Sequence, residues 1–239
     1  IQTLYLRNTD MNIFKDGKRN WEIFALQKIY SDKFAIYGEL TKKLCLEHKI
    51  DSEKLVMTGN PRYDGLFRRE VKGDKNNILI TLSGIASTAW TTFYSISLVQ
   101  KYEIMFREIL KSLAKLDKKV TIKIHPNQDS IINVQKITNE ILPNATILKN
   151  ANTYDLISQS DVVISPPSSV ITEALILNKP VFLFKFVEND SGIPYEKYNA
   201  VVATEDENMI DFKINQILFD KKIRNELEIG RKEFLKYAL

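Results

Sequence analysis

The sequence is poor in the residues that build disulfide and metal frameworks. Cys45 is the only cysteine among 239 residues, and there are only two histidines. A single cysteine cannot form an intrachain disulfide, and it excludes a Cys-x-x-Cys metal or redox site. The sequence therefore predicts a protein of a reducing compartment, with the cytosol as the default location.

Long apolar runs are also lacking. No stretch approaches the ~18 apolar residues needed to span a bilayer, and no signal-peptide pattern is present. The 34 basic and 30 acidic residues give a net charge of +4 and are spread along the chain, so we expect no nucleic-acid partner. The chain opens at Ile1 and stops within a helical pattern, and we expect it to be a fragment of a longer protein.

Short apolar strands instead alternate with amphipathic stretches. The strands are continuous apolar runs, as expected of parallel strands buried on both faces. They are predicted at residues 76–83, 120–124, 145–148, 161–165, 180–184 and 200–204. Helices are predicted at residues 98–116, 131–141, 154–159 with Thr153 as cap, and 209–218. This alternation predicts an α/β fold with a doubly wound parallel sheet and helices on both faces.

The N-terminal part of the sequence has a different texture. Residues 32–39 resemble one strand and residues 40–50 one short helix, too little to make a domain. We therefore interpret residues 1–58 as the tail of a preceding α/β domain and residues 59–239 as a Rossmann-like domain. The boundary falls at TGNPRYDG, residues 58–65, where glycine, asparagine and proline interrupt regular structure.

In a doubly wound sheet, ligands bind outside the carboxyl ends of the strands. The first strand is followed by SGIAST, where Ser83 and Gly84 form a small turn that could approach a phosphate. Its spacing is neither that of a P-loop nor that of GxGxxG, and an ordinary loop is the simpler interpretation.

The second strand is followed by His125 and Pro126, in KIHPN. An imidazole at this edge of the sheet could donate a hydrogen bond to a phosphate oxygen. A loop histidine bound to a backbone carbonyl is the alternative. No second histidine or cysteine lies nearby in the sequence, so we expect no metal site.

The fourth strand is followed by Pro166 and Pro167, and then by Ser168 and Ser169 at a helix start. The prolines end the strand and make the turn rigid. Either serine could be a simple N-cap, or the two could bind a phosphate at the helix N-terminus. Glu173 is too far from both serines for a capping box, and its carboxylate could accept hydrogen bonds from a ribose.

Together these segments resemble a known superfamily. TGNPRYDGL, IKIHPN and DVVISPPSSVITEALILNKPVFLF, in this order and at these separations, look like the C-terminal, donor-binding half of a GT-B fold protein. His125 and Pro126 form an HP motif, and Ser168 and Ser169 form an SS motif. These two motifs are similar to those of CDP-glycerol glycerophosphotransferases, bacterial polysialyltransferases and capsule transferases. Hydrolysing UDP-N-acetylglucosamine 2-epimerases share the layout, but they have a Ser-Gly-Gly turn in place of Pro-Pro-Ser-Ser.

The resemblance implies a set of roles for individual residues. The resemblance implies contacts with the donor or its nucleotide in four places: the turn after the first strand, the segment with the HP motif, the SS motif, and the acidic residue that follows it. The residues concerned are Ser83, Gly84, Lys123, His125, Pro126, Ser168, Ser169 and Glu173. Of these, His125 is implied to stabilise the leaving group. Gly59, Asn60 and Arg62 would match the interdomain segment. No catalytic base is implied within this chain.

The resemblance implies an enzyme that uses a nucleotide-activated donor, CMP- or CDP-linked, in the synthesis of a surface polysaccharide or teichoic-acid-like polymer. It implies no metal or other cofactor, a polymer or lipid-linked acceptor, and a cytoplasmic location that allows contact with the inner face of the membrane. Two alternatives remain open: a UDP-sugar enzyme such as a 2-epimerase, and a non-catalytic α/β scaffold module. Tyr195 and Tyr198 could flank the base or simply pack at the surface.

Overall fold

The computed structural model of this chain describes residues 2–3, 14–15, 18–19, 32–47, 49–69, 76–83, 96–126, 131–186 and 193–239. The strands in these ranges are β1 (Gln2–Thr3), β2 (Phe14–Lys15), β3 (Lys18–Arg19), β4 (Phe34–Ile36), β5 (Leu55–Met57), β6 (Asn77–Thr81), β7 (Lys119–Lys123), β8 (Thr146–Leu148), β9 (Val162–Ser165), β10 (Val181–Phe184) and β11 (Val202–Thr204).

The helices alternate with these strands. They are α1 (Glu39–Glu47), α2 (Pro61–Phe67), α3 (Ile96–Ala114), α4 (Ile131–Ile141), α5 (Thr153–Gln159), α6 (Ser169–Ile176), α7 (Ile210–Phe219) and α8 (Lys221–Ala238). Short 3-10 turns occupy Ser52–Lys54, Glu196–Tyr198 and Glu207–Met209.

The main sheet has six parallel strands in the spatial order β8-β7-β6-β9-β10-β11. Counted from β6, this is the order 3-2-1-4-5-6 of a doubly wound sheet, and the strand order reverses between β6 and β9. The six strands lie where the apolar runs predict them, and α3, α4, α5 and α7 match the predicted helices to within a few residues. The predicted fold class is confirmed.

The strands read as continuous apolar runs because the sheet is covered on both faces. In β6, Ile78 and Ile80 belong to one buried cluster, with residues of α3, α4 and α7. Leu79, between them, belongs to a second cluster, with residues of α5, α6 and α8. Successive side chains point to opposite faces of a strand, so a strand buried on both faces needs an apolar residue at every position.

A second, smaller sheet precedes the main one, with the order β1-β4-β5 and parallel pairing. Its core consists of Phe34, Ile36 and Cys45. Burial raises the pKa of the Cys45 thiol to about 11, so the thiol stays protonated and unreactive. The placement of a domain boundary at residue 58 stays a prediction.

The last helix packs closely against two other parts of the chain. A Cβ atom on Gly230 of α8 would lie 2.0 Å from the carbonyl oxygen of Tyr198. A Cβ atom on Gly38, just before α1, would lie 2.6 Å from the carbonyl oxygen of Ala238. Glycine at both positions therefore allows backbone to approach backbone, and α8 joins the main sheet to the small one.

Candidate nucleotide-donor site

The candidate site lies at the carboxyl edge of the main sheet, where the strand order reverses. β6 lies between β7 and β9, so the segments that follow these three strands are neighbours in space. Ser83 follows β6, His125 follows β7, and Ser168 and Ser169 follow β9. The fold thus brings three segments that are far apart in the sequence to one edge, at the crevice where doubly wound sheets bind ligands.

The Pro-Pro-Ser-Ser turn is held from below by a chain of hydroxyl groups. Thr81, the last residue of β6, donates to Ser165 Oγ at 2.8 Å. Ser165, the last residue of β9, donates to the carbonyl oxygen of Pro166 at 2.8 Å and lies 3.1 Å from Ser168 Oγ. Thr81 and Ser165 are buried, whereas Ser168 is partly exposed. The buried serine therefore fixes the orientation of the serine at the site.

Ser168 occupies the N-cap position of α6, but its side chain makes no capping hydrogen bond. Ser168 thus occupies the N-cap position, as one interpretation expects, but its hydroxyl lies beside Ser165 and does not cap the helix. Ser169 is the first residue of α6. The start of α6, with its dipole and two hydroxyl groups, faces the same edge as Ser83 and His125, which is favourable for an anion.

The turn that follows β7 carries the buried ammonium group of Lys123 next to the imidazole of His125. Lys123 Nζ donates to the carbonyl oxygens of Ile124 and Lys149, each at 2.8 Å. Burial lowers the pKa of Lys123. His125 and Pro126 are exposed at the edge. Partial burial of the imidazole lowers the pKa of His125, and the nearby charge of Lys123 lowers it further. The imidazole is therefore mainly neutral at neutral pH.

The first turn is described only as far as Ser83. Its backbone N–H donates to the hydroxyl of Tyr102 at 3.3 Å. Tyr102 belongs to α3 and is buried, so the turn is anchored to the helix that covers this face of the sheet. Gly84, predicted to lie under the diphosphate, falls outside the described residues.

The TGNPR segment has a structural explanation at each position. The backbone N–H of Thr58 donates to Ile36 of β4 at 3.0 Å. Gly59 has φ +72°, in the left-handed region that favours glycine. Asn60 accepts a hydrogen bond from the backbone N–H of Arg62 and caps α2, with Pro61 as first helical residue. The segment thereby fixes where the side chain of Arg62 starts.

The side chain of Arg62 ends on Glu173, one turn after Ser169 in α6. Arg62 Nη2 donates to Glu173 Oε1 at 3.0 Å, and Arg62 Nε donates to the hydroxyl of Tyr154 at 2.8 Å. The Glu173 side chain is 2% exposed and that of Arg62 57%. Burial raises the pKa of Glu173 to about 7, although the charge of Arg62 opposes the rise. Glu173 is thus covered by Arg62 rather than open to a ligand.

Other sequence-based expectations need correction. Asn152, not Thr153, caps α5, through its side chain and the N–H groups of Tyr154 and Asp155. Of the two interpretations of Tyr195 and Tyr198, the structure shows packing, but Tyr195 packs in the core and not at the surface. Tyr195 is buried against Phe234 of α8, and Tyr198 contacts the same ring.

No group of three or more His, Cys, Asp or Glu side chains is placed to hold a metal ion in the described ranges. Among the helices that the structure describes, none is both long and apolar enough to cross a membrane.

A sequence model described as "CDP-Glycerol:Poly(glycerophosphate) glycerophosphotransferase" matches residues 39–191, which is well over half of the chain. The chain belongs to the CDP-glycerol glycerophosphotransferase family. The matched region begins at α1 and includes the predicted interdomain segment, the HP motif and the SS motif. A search of curated proteins gives no match for the sequence.

Solved structures confirm the GT-B type of fold for this family member. UDP-GlcNAc 2-epimerase from Neisseria meningitidis, solved with UDP-GlcNAc, is similar with TM-score 0.61 and 17% identity, over 86% of this chain and 61% of that one. The Methanocaldococcus jannaschii enzyme gives TM-score 0.58 and 15% identity, over 85% and 60%. The wall teichoic acid polymerase TagF gives TM-score 0.51 and 15% identity, over 87% and 53%. The chain spans about three fifths or less of the length of these proteins.

Proposed function

We propose that this chain is the donor-binding half of a transferase that uses a nucleotide-activated donor, CMP- or CDP-linked, to build a surface polysaccharide or teichoic-acid-like polymer. The observation that carries the proposal is the meeting of Ser83, His125 and the Ser168–Ser169 pair at the ends of three adjacent strands. Family membership supports the choice of a cytidine-linked donor.

In this proposal the groups at the carboxyl edge of the sheet stabilise the negative charge that develops on the leaving nucleotide. The start of α6 and the hydroxyls of Ser168 and Ser169 bind the phosphate nearest the pentose. His125 donates a hydrogen bond to a phosphate oxygen, and the charge of Lys123 adds to the positive potential there. These groups do not need a bound metal ion to act. No catalytic base is assigned among the described residues.

The remaining parts of the proposal concern partners and location. The acceptor is a polymer or a lipid-linked chain, and the enzyme works in the cytoplasm at the inner face of the membrane.

Calorimetric titration of the protein with CMP, CDP, UMP and UDP tests the proposal. We expect cytidine nucleotides to bind more tightly than uridine nucleotides, and CDP binding to be weakened at least about tenfold in His125→Ala and Ser169→Ala, as expected for loss of a charge-assisted or helix-terminal contact. Arg107→Met is the matched control. Arg107 lies on the outer side of α3 and pairs with Glu103 and Glu140, remote from the strand ends.

The outcomes separate the alternatives. A clear preference for UDP would favour a UDP-sugar enzyme such as a 2-epimerase. Binding that survives both substitutions would show that the nucleotide binds elsewhere. If the folded wild-type protein binds none of the four nucleotides, the scaffold alternative is the better account.

A further inference from the structure

Arg62 is the exposed charge of a three-residue cluster at the candidate site. Its guanidinium bridges the first turn of α5, through the Tyr154 hydroxyl at 2.8 Å, and the second turn of α6, through Glu173 Oε1 at 3.0 Å. Both helices begin at the carboxyl edge of the main sheet. The guanidinium thus lies beside the helix start that carries Ser168 and Ser169.

Exposure decides which member of the cluster can meet a ligand. The carboxylate of Glu173 is almost inaccessible, whereas more than half of the Arg62 side chain is exposed. A ribose could reach Glu173 only after Arg62 had moved away. A phosphate group, in contrast, can approach Arg62 as it stands. A guanidinium has five N–H donors, and within the described ranges Tyr154 and Glu173 engage two of them.

The surroundings of Glu173 support an anchoring role. The charged and titratable groups that face it are Arg62 and Tyr63 from α2 and, beyond Arg62, Tyr154 from α5. The ion pair of Arg69 with Asp155 lies between α2 and α5 as well. A buried carboxylate holds its cationic partner in place, because losing the partner leaves an uncompensated buried charge or forces the carboxyl group to take up a proton.

We propose that Arg62 is a donor-binding residue that contacts a phosphate of the nucleotide donor, and that Glu173 and Tyr154 position its guanidinium rather than contacting the ribose. This inference rests on the donor site proposed above. The TGNPR segment would then do more than connect two domains, since Gly59, Asn60 and Pro61 set the point from which the side chain of Arg62 reaches the site.

Calorimetry with CDP, pyrophosphate and cytidine tests the proposal on Arg62→Met, Arg62→Lys, Glu173→Gln and the double variant Arg62→Met/Glu173→Gln. We expect Arg62→Met to weaken CDP and pyrophosphate binding about 10- to 100-fold, the range of one charge-assisted contact, with cytidine unchanged. Arg62→Lys restores part of the loss, because lysine keeps the charge but cannot hold both partners. Arg107→Met is again the control.

The double-variant cycle tests the positioning role. Glu173→Gln should weaken CDP binding less than Arg62→Met does, and it should add little in the double variant, because Glu173 acts through Arg62. A second measurement needs no ligand. The Nε–H signal of Arg62 in a nitrogen-15 NMR spectrum should lose its protection from exchange in Tyr154→Phe, because this change removes the acceptor of that N–H.

Three results would overturn the inference. Unchanged CDP affinity in Arg62→Met, with wild-type binding intact, contradicts this inference alone. Tighter binding of cytidine in Arg62→Met would show that Arg62 competes with the ribose for Glu173. Failure of the wild-type protein to bind CDP or pyrophosphate would contradict the proposed function, and this inference with it.

Discussion

Thr81 and Ser165 are joined by a hydrogen bond of 2.8 Å between their hydroxyl oxygens, across 84 positions of sequence. Each is the last residue of its strand, and the two strands are the pair between which the sheet order reverses. This bond ties the floor of the site to the turn that presents Ser168. The geometry of the site is therefore set by buried groups that no ligand touches.

Replacing Ser165 by alanine should weaken the site more than its distance from the ligand suggests. The change leaves the Thr81 hydroxyl and the Pro166 carbonyl without their partner, which costs about 1–3 kcal/mol of unfolding free energy. It also frees Ser168, so CDP binding should weaken. Ser160→Ala is the control, because Ser160 is equally buried but bonds to Ile157, before β9. Equal CDP affinity in the two variants would contradict this role.

Donor binding should depend on pH through His125. Burial and Lys123 lower the pKa of the free imidazole, whereas a bound diphosphate favours the protonated form and raises it. Binding should therefore take up a proton, and affinity should fall as pH rises through the pKa of the complex. Calorimetry in buffers of different ionisation enthalpy measures the uptake. His125→Gln should abolish it, and an equal uptake in that variant would assign it to another group.

Stability should change with pH through Glu173. Its pKa is raised from 4.5 to about 7, so the folded state binds more protons than the unfolded state between these values. The contribution of this group is present below about pH 4.5 and is lost as pH rises through 7. Urea denaturation from pH 4.5 to 8 should show a smaller loss of stability in Glu173→Gln than in the wild type. Parallel curves would contradict the raised pKa.

Replacing either of two helical glycines by alanine should change the free energy of unfolding, but in opposite directions. In α8, Gly230→Ala would force a methyl group into the backbone of Tyr198 and Asn199, and we expect a loss of about 1–3 kcal/mol or more. In α2, Gly65 has nothing within 4 Å of the added atom, so Gly65→Ala should stabilise by about 0.4–1 kcal/mol. Thermal denaturation measures both, and a stable Gly230→Ala would argue against the close docking of α8.

The sequence predicts the main sheet well because its signal is strong. A strand covered on both faces has apolar residues in an unbroken run, as in VFLF of β10. Helix α2 is hard to predict, since PRYDGLF has no regular apolar spacing and owes its position to Asn60, Pro61 and one buried leucine. The cap of α5 differs from the expected one by a single residue because Asn152 and Thr153 both cap helices well.

The site could be predicted as a set of segments but not as a network. The order of the motifs indicates which turns share an edge, because parallel strands place their carboxyl ends together. The pairing of Arg62 with Glu173 spans 111 positions and leaves no local pattern in the sequence. Ser165 could have been found from one signal: it is a polar residue at the buried end of an otherwise apolar strand, and such a residue needs a partner.

Hydrogen exchange measured by mass spectrometry, with and without CDP, tests the central claim most directly. If the donor binds at the carboxyl edge of the main sheet, CDP should slow exchange in the peptides that follow β6, β7 and β9 and in the first turn of α6. The opposite edge, around Lys179 and Pro180, should be unaffected. Protection at that opposite edge would contradict the account, and so would protection that needs no more CDP in Ser169→Ala than in the wild type.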